Sequence, residues 1–254
     1  MNATYLRIDL QRQLRDVANI VFVIGLPVAM YIIFGSTFGS GGEQAGYANV
    51  KFYVMTSMAV YGASVATTAI SGMAAVELMQ GWGRQLGLTP MRPAGYVGTK
   101  VVVALTIAAG AVAAVFLTGT LTGARADEGW IWAATYALAW IGSALFALYG
   151  LAIAQTFRSE SAVSVAAAGL VLLAFFGNLF VPLSGTILQI ARFTPLYGYA
   201  GLARYPALRG QVATTTGGSE TPDSLGWLVL NVVVWAVIFA LIAMWAVRRG
   251  RRRQ

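Results

Sequence analysis

Six stretches of this chain run for 24 residues or more without a charge: 17–42, 52–76, 101–124, 129–157, 161–191 and 224–247. A helix crossing the roughly 30 Å hydrocarbon core of a bilayer needs about 20 consecutive apolar residues, and charge is what it tolerates least. Each run is long enough to span once and too short to span twice. The runs are continuous in Ala, Val, Leu, Ile and Phe, whereas barrel strands are segments of about 10 residues with alternating polarity. Lipid offers the backbone no hydrogen-bond partners, so helices are the solution. The fold class expected is an all-α membrane protein of six transmembrane helices. Composition agrees, with 58% hydrophobic and 10% charged residues, far below the roughly 25% charged of soluble domains.

The net charge of +8 suggests nucleic acid only until the charges are placed. With both termini on one side, the segments on that side carry twelve cations against four acids, and those on the other side five against five. This is the positive-inside bias, so both termini are expected in the cytoplasm, and the tail "RRGRRRQ" reads first as a topology anchor. Binding of anionic lipid is the alternative use of that tail. Nucleic acid is not expected as a partner. Fifteen Arg against two Lys, with abundant Ala and Gly, point to a GC-rich bacterium and hence to its plasma membrane.

What is missing narrows the chemistry. The chain has no Cys and no His, which removes disulfides, thiolate and imidazole metal sites, and histidine-dependent catalysis. The two lysines are Lys51 and Lys100, and "GYVGTKV" places Thr99 before the lysine where a phosphate-cradling loop requires Gly. The chain therefore holds no P-loop, no metal and no cofactor of its own. The six runs also lack ionisable groups, which disfavours proton or sodium coupling.

The boundaries expected are an interfacial helix over 1–17, spans over 18–38, 52–76, 101–122, 130–157, 162–182 and 224–247, a cytoplasmic loop over 77–99, and an extracellular re-entrant region and loop over 183–223. Leu6, Leu10, Leu14 and Val17 form the apolar stripe of the first helix, with Arg12 pointing away. Pro182, Pro195 and Pro206 cut the region before the last span into pieces too short to cross. Gly110 with Ala114, and Ser164 with Ala168, set small residues four apart and suggest close helix packing. Lys100 is expected to snorkel to the interface.

The inside loop "ELMQGWGRQLGLTPMRPAGYVGTK" is the one large enough to dock a partner. Glu77, Gly81, Trp82, Arg84, Gln85, Leu86, Thr89, Pro90 and Lys100, with an aromatic at Tyr96, resemble the second-to-third-span loop of permease subunits of type-2 ATP-binding-cassette exporters, particularly daunorubicin-resistance permeases. Leu78, Met79 and Gln80 depart from that pattern where charged residues are usual, as do Gly83 and Gly87 where helix formers are. The resemblance implies a coupling helix that seats in a separate ATPase subunit, which binds the ATP and Mg, and a second permease copy, identical or homologous. Trp82 between glycines offers a large contact at a close backbone, and Glu77 and Arg84 offer charges for the partner. Anchoring of Trp82 and Arg84 in the lipid headgroups is the plainer use of the same residues.

A path through the membrane would be lined by uncharged polar and aromatic groups: Tyr61, Thr67 and Thr68 on the second run, and Phe175, Phe176, Asn178 and Phe180 on the fifth. Such residues suit a hydrophobic or amphiphilic substrate, although each also serves lipid contact or helix packing. The function expected is a non-enzymatic permease of an ATP-driven exporter of a drug, antibiotic or lipid. The rival reading is a membrane anchor or sensor that docks a cytoplasmic signalling partner. An ungated channel would need repeated polar rings, which are too sparse here.

Overall fold

The computed structural model of the chain describes residues 3–38, 43–77, 81, 93–157, 161–213 and 221–251. Its elements in chain order are α1 (Ala3–Arg15), α2 (Val17–Phe38), the strands β1 (Gln44–Ala45) and β2 (Ala48–Asn49), α3 (Val50–Glu77), α4 (Pro93–Leu121), α5 (Gly129–Gly142), α6 (Ala144–Phe157), α7 (Ala162–Phe176), α8 (Gly185–Ala191), α9 (Pro195–Leu208) and α10 (Leu225–Arg251). Apart from one short hairpin, the described chain is helical. Five helical stretches are long and apolar enough to cross a bilayer: Val17–Phe38, Val50–Met73, Gly98–Leu121, Gly129–Phe157 and Leu225–Trp245.

The order of burial inverts that of a soluble protein. Helix α3 is the least apolar of the five, yet 89% of its apolar window is buried, against 17% for the strongly apolar α2 and α10. Lipid rewards apolar side chains at the periphery and gives no advantage to burying them, so the centre takes small and hydroxylated residues that let backbones approach. Four hydroxyls of α3 satisfy themselves locally, while that of Ser71 is buried without a hydrogen-bond partner. Thr56 donates to the Phe52 carbonyl at 2.9 Å, Ser57 to Tyr53 at 2.7 Å, Ser64 to Val60 at 2.8 Å and Thr67 to Ala63 at 2.9 Å. Thr68 instead reaches across to the Phe146 carbonyl of α6 at 3.3 Å. Around α3 pack α2, α4, α5, α6, α7 and α9.

Several boundaries differ from the sequence expectation for physical reasons. Helix α4 begins at Pro93 rather than 101, because Lys100 does not end the apolar segment but is neutralised inside it, as described below. Helix α7 stops at Phe176 rather than 182: Gly177 caps it, and Asn178 turns the chain with a left-handed φ of 55°. At 1.5 Å per residue its 15 residues rise only about 22 Å. The run 129–157 is continuous in direction but divided at Ser143, whose hydroxyl donates to the Trp140 carbonyl at 2.6 Å. Between α1 and α2, Asp16 interrupts the helix and accepts from the Asn19 amide at 3.2 Å, capping α2.

The first helix and the small-residue pairs also need correction. Leu6 and Leu10 of α1 pack against the core, but Leu14 and Val17 are exposed and Asp9 is buried. The buried face of α1 is therefore Leu6, Asp9 and Leu10. Gly110, Ser164 and Ala168 are exposed, and a Cβ at Gly110 would meet no atom within 4 Å. The close approach is made elsewhere, at Gly150 of α6, where a Cβ would lie 2.4 Å from the Thr68 carbonyl oxygen.

At the Val50 end of α3, the hairpin docks on α9. The Tyr47 amide donates to the Ala207 carbonyl at 2.8 Å and the Asp127 amide to the Tyr47 carbonyl at 3.0 Å. Gly46, at φ 63°, sits where a Cβ would strike the Ala207 oxygen, so no other residue fits this turn.

Two glycine substitutions separate these roles. Gly150→Ala is expected to cost about 1–3 kcal/mol through overpacking against backbone, read as a lowered melting temperature in detergent. Gly110→Ala is expected to leave it unchanged or raise it by the equivalent of up to about 1 kcal/mol, the helix-propensity difference.

Candidate functional site: a buried charge cluster at the root of the 78–92 loop

Glu77 is the last residue of α3, and Lys100 lies in the first turns of α4. The intervening chain must return to nearly the same place, because the Lys100 ammonium is 2.9 Å from Glu77 Oε2. The same ammonium donates to Asp9 Oδ1 on α1 at 2.7 Å, and Arg12 Nη1 donates to Glu77 Oε1 at 2.8 Å. Lys100, Asp9 and Glu77 side chains are only 2%, 4% and 6% exposed, whereas Arg12 is 55% exposed. Two cations and two carboxylates make the group neutral. Neutrality is what permits its burial, since an isolated ion in a low-dielectric interior costs several kcal/mol.

The expectation that Lys100 snorkels is therefore overturned: its stem does not carry the charge to water. Glu77, expected to offer its charge to a partner, spends both oxygens on Lys100 and Arg12. Asp9 Oδ2 is buried without a hydrogen-bond partner, so the carboxylate is held by Lys100 through one oxygen. Tyr5, one turn before Asp9, has its phenol pKa pushed up to about 12, by burial first and then by Asp9 and Glu77, with Arg12 opposing.

Asp9 and Arg12 are functional candidates that reading the apolar stripe missed. That stripe scored only apolar residues, yet Asp9 lies between Leu6 and Leu10 on one helical face, and an acid on an apolar face signals a buried partner. Of the loop motif, Glu77 and Lys100 are brought together, and Gly81 adopts a φ of 98° with open space around it. Trp82, Arg84, Gln85, Leu86, Thr89 and Pro90, and the side chain of Tyr96, lie outside the described residues.

The path candidates divide. Tyr61 and Phe175 both set ring edges on Phe180, each at 5.1 Å between centroids, and Phe34 joins at 6.2 Å. Thr67 and Thr68 are buried between helices and hydrogen-bonded to carbonyls. Phe176 is 39% exposed. Asn178 is a structural hub: its amide group donates to the Ala213 carbonyl at 3.1 Å, and its side-chain oxygen accepts from the Leu183 amide at 2.7 Å. Its backbone oxygen accepts from the Tyr53 hydroxyl at 3.1 Å and from Arg204 at 2.8 Å.

Arg204 is a second residue the sequence hid. It is buried, donates to Ser57 Oγ at 2.6 Å, and lies over the Tyr53 ring at 4.3 Å. Among the described residues no carboxylate lies within salt-bridge distance of it. Nearby, Asp223 holds Arg192 at 3.2 Å and accepts from the Tyr197 hydroxyl at 2.5 Å. Burial, and then this carboxylate, raises the Tyr197 pKa, so the phenol remains a donor. The α9 segment is thus fixed to α3 by Arg204 and to the start of α10 by Tyr197.

An all-α, multi-pass membrane architecture organised on a central helix and a neutral charge cluster defines an integral membrane protein with no catalytic constellation among the described residues. Residues 3–202 match the family model of the ABC-2 type transporter. The chain belongs to the ABC-2 type transporter family, as a transmembrane permease component. No curated protein matches the sequence.

Removing Lys100 alone, by Lys100→Met, is expected to cost about 3–5 kcal/mol because two carboxylates are left buried. Adding Asp9→Leu, which leaves the neutral Arg12–Glu77 pair, is expected to recover most of that, and thermal unfolding in detergent distinguishes the two. The Tyr5 shift has a defined sign: an unfolded tyrosine ionises near 10, so its stabilisation is complete below pH 10 and is lost as the pH rises from there through about 12. Alkaline unfolding followed by circular dichroism is expected to be less steep over that window in Tyr5→Phe.

Proposed function

We propose that this chain is the transmembrane subunit of an ATP-driven exporter of the daunorubicin-resistance type, with six spans and both termini in the cytoplasm of a bacterial cell. Two permease copies, identical or homologous, form the path for a hydrophobic or amphiphilic substrate such as a drug, antibiotic or lipid. The 77–99 connection is the coupling element, and ATP and Mg are bound by a separate ATPase. The observation that carries this reading is the joining of the two ends of that loop, Glu77 and Lys100, to each other and to Asp9 of α1.

The mechanical consequence supports it. A partner that displaces the loop delivers the displacement to α3, α4 and α1 at one point, because a neutral buried cluster has strong reason not to separate into ions. Helix α3 touches most of the bundle, so its Glu77 end is an effective place to bias two states of the whole. Trp82 and Arg84 are the contacts assigned to the ATPase. The rival reading, an anchor or sensor, uses the same loop for docking but gives no substrate-dependent ATP turnover.

Co-purification in detergent with the ATPase encoded nearest to this gene tests the proposal. Wild type is expected to form a stable complex, and Trp82→Ala with Arg84→Glu to reduce its recovery at least about tenfold, the effect of losing an aromatic anchor and reversing a charge. Equal recovery of the double variant contradicts the coupling role. A complex whose ATP turnover never responds to any amphiphile moves the anchor reading to the front.

A further inference from the structure

We infer that the small cavity beside Arg204 binds one monovalent inorganic anion of about chloride size, which supplies the counter-charge that the described residues do not. A guanidinium stays charged in a protein interior, and Arg204 is only 7% exposed. Its Nη2 donates to Ser57 Oγ at 2.6 Å and to the Asn178 carbonyl at 2.8 Å, and the Tyr53 ring covers one face of the guanidinium at 4.3 Å. Its Nε is buried without a hydrogen-bond partner. Every one of these partners is neutral. Dipoles ease the burial of an ion but leave its charge uncancelled, and an uncancelled charge is what a protein interior tolerates least.

Arg204 lines a cavity of about 20 Å³, with Tyr53, Asn178, Gly201 and Asp223 among its other walls, which is room for a single body of about the size of water. Asp223 does not cancel the charge, because it is ion-paired to Arg192 at 3.2 Å and accepts from the Tyr197 hydroxyl. Arg192, Arg204 and Asp223 together leave one positive charge. Glu43 lines an adjoining cavity, with Tyr53 and Asn178 shared between the two walls, but it is exposed and lies beyond salt-bridge distance of Arg204. A monovalent anion therefore brings this site to neutrality, the condition that carboxylates meet at Lys100. Size and charge exclude the larger candidates: sulfate or phosphate overfills the volume, and a divalent ion overshoots the charge. A water molecule would accept from Nε but leave the ion uncancelled.

The test follows thermal unfolding of the full-length permease alone, in an uncharged detergent, as sodium gluconate is exchanged for sodium chloride, bromide or sulfate at constant ionic strength. Chloride and bromide are expected to raise the melting temperature saturably, by about 3–6 °C at a tenfold excess over the dissociation constant, and sulfate is not. A general salt effect runs the other way, with sulfate the stronger stabiliser, so the wild type by itself separates a site from a salt effect. Arg204→Met is expected to abolish the halide response, whereas Arg125→Gln, at an exposed arginine, keeps it. Should Arg204→Met not fold, the wild-type series decides alone. Absence of a halide response, the result for a cavity that holds water or for a carboxylate of the chain that meets Arg204, overturns the inference. So does a response in which sulfate equals chloride, or one that persists in Arg204→Met. No ATPase or transported substrate enters the measurement, so its failure leaves the coupling reading intact.

Discussion

An ion taken out of water without a partner costs more than almost any single packing contact returns, and this chain's arrangement follows from how it avoids that cost. Lys100 enters an apolar segment and cannot reach water from its buried position, so α4 is acceptable only if carboxylates are brought to it. Glu77 is supplied by the end of α3 and Asp9 by α1. The first helix is thereby fixed against the bundle by charge as well as by Leu6 and Leu10, and the loop between α3 and α4 is fixed at both roots. At the opposite end of α3, Arg204 is held by neutral groups instead: a hydroxyl, a carbonyl and a ring. The central helix is thus secured near both ends by buried cations whose partners come from other elements.

The two fixings differ in what they allow. Separating the Lys100 cluster leaves full charges in low dielectric, so α1, the Glu77 end of α3 and the start of α4 are expected to move as one body. The Arg204 contacts cost less to exchange, because hydroxyl and carbonyl acceptors can be replaced by water. Movement between α9 and α3 is accordingly the easier one. The central helix thus has a stiff end beside Glu77 and a softer end beside the cavity lined by Phe34, Phe38, Tyr53 and Phe180.

Most of the helices were legible because the bilayer imposes length and apolarity, and the runs from 17, 52, 101, 129 and 224 each overlap most of one long apolar helix. The rule that located them also misplaced the start of α4, since it treats every charge as a boundary and cannot see that Lys100 is paired with a residue 91 positions away. The stop at Phe176 depends on Asn178 turning left-handed, which several distant carbonyl and amide partners decide. The ends of the loop motif could be read as a pair of candidates, but their meeting with Asp9 and Arg12 could not, because periodicity reports faces and says nothing of which faces meet. The centrality of α3 was present in its lower apolarity and its hydroxyls, a signal whose sense is reversed from that in soluble proteins.

The charge cluster is expected to make α1 and the start of α4 a single moving unit. The native chain has no cysteine, so spin labels can be placed at Gln11→Cys and Thr106→Cys, both exposed positions, and their separation measured by double electron–electron resonance in the complex with the ATPase proposed above, without nucleotide and with ATP trapped by vanadate. One narrow distance, unchanged between the two states and broadened when Lys100→Met is added, is the expected result. A distance that shifts with nucleotide while Lys100 is intact would contradict the claim.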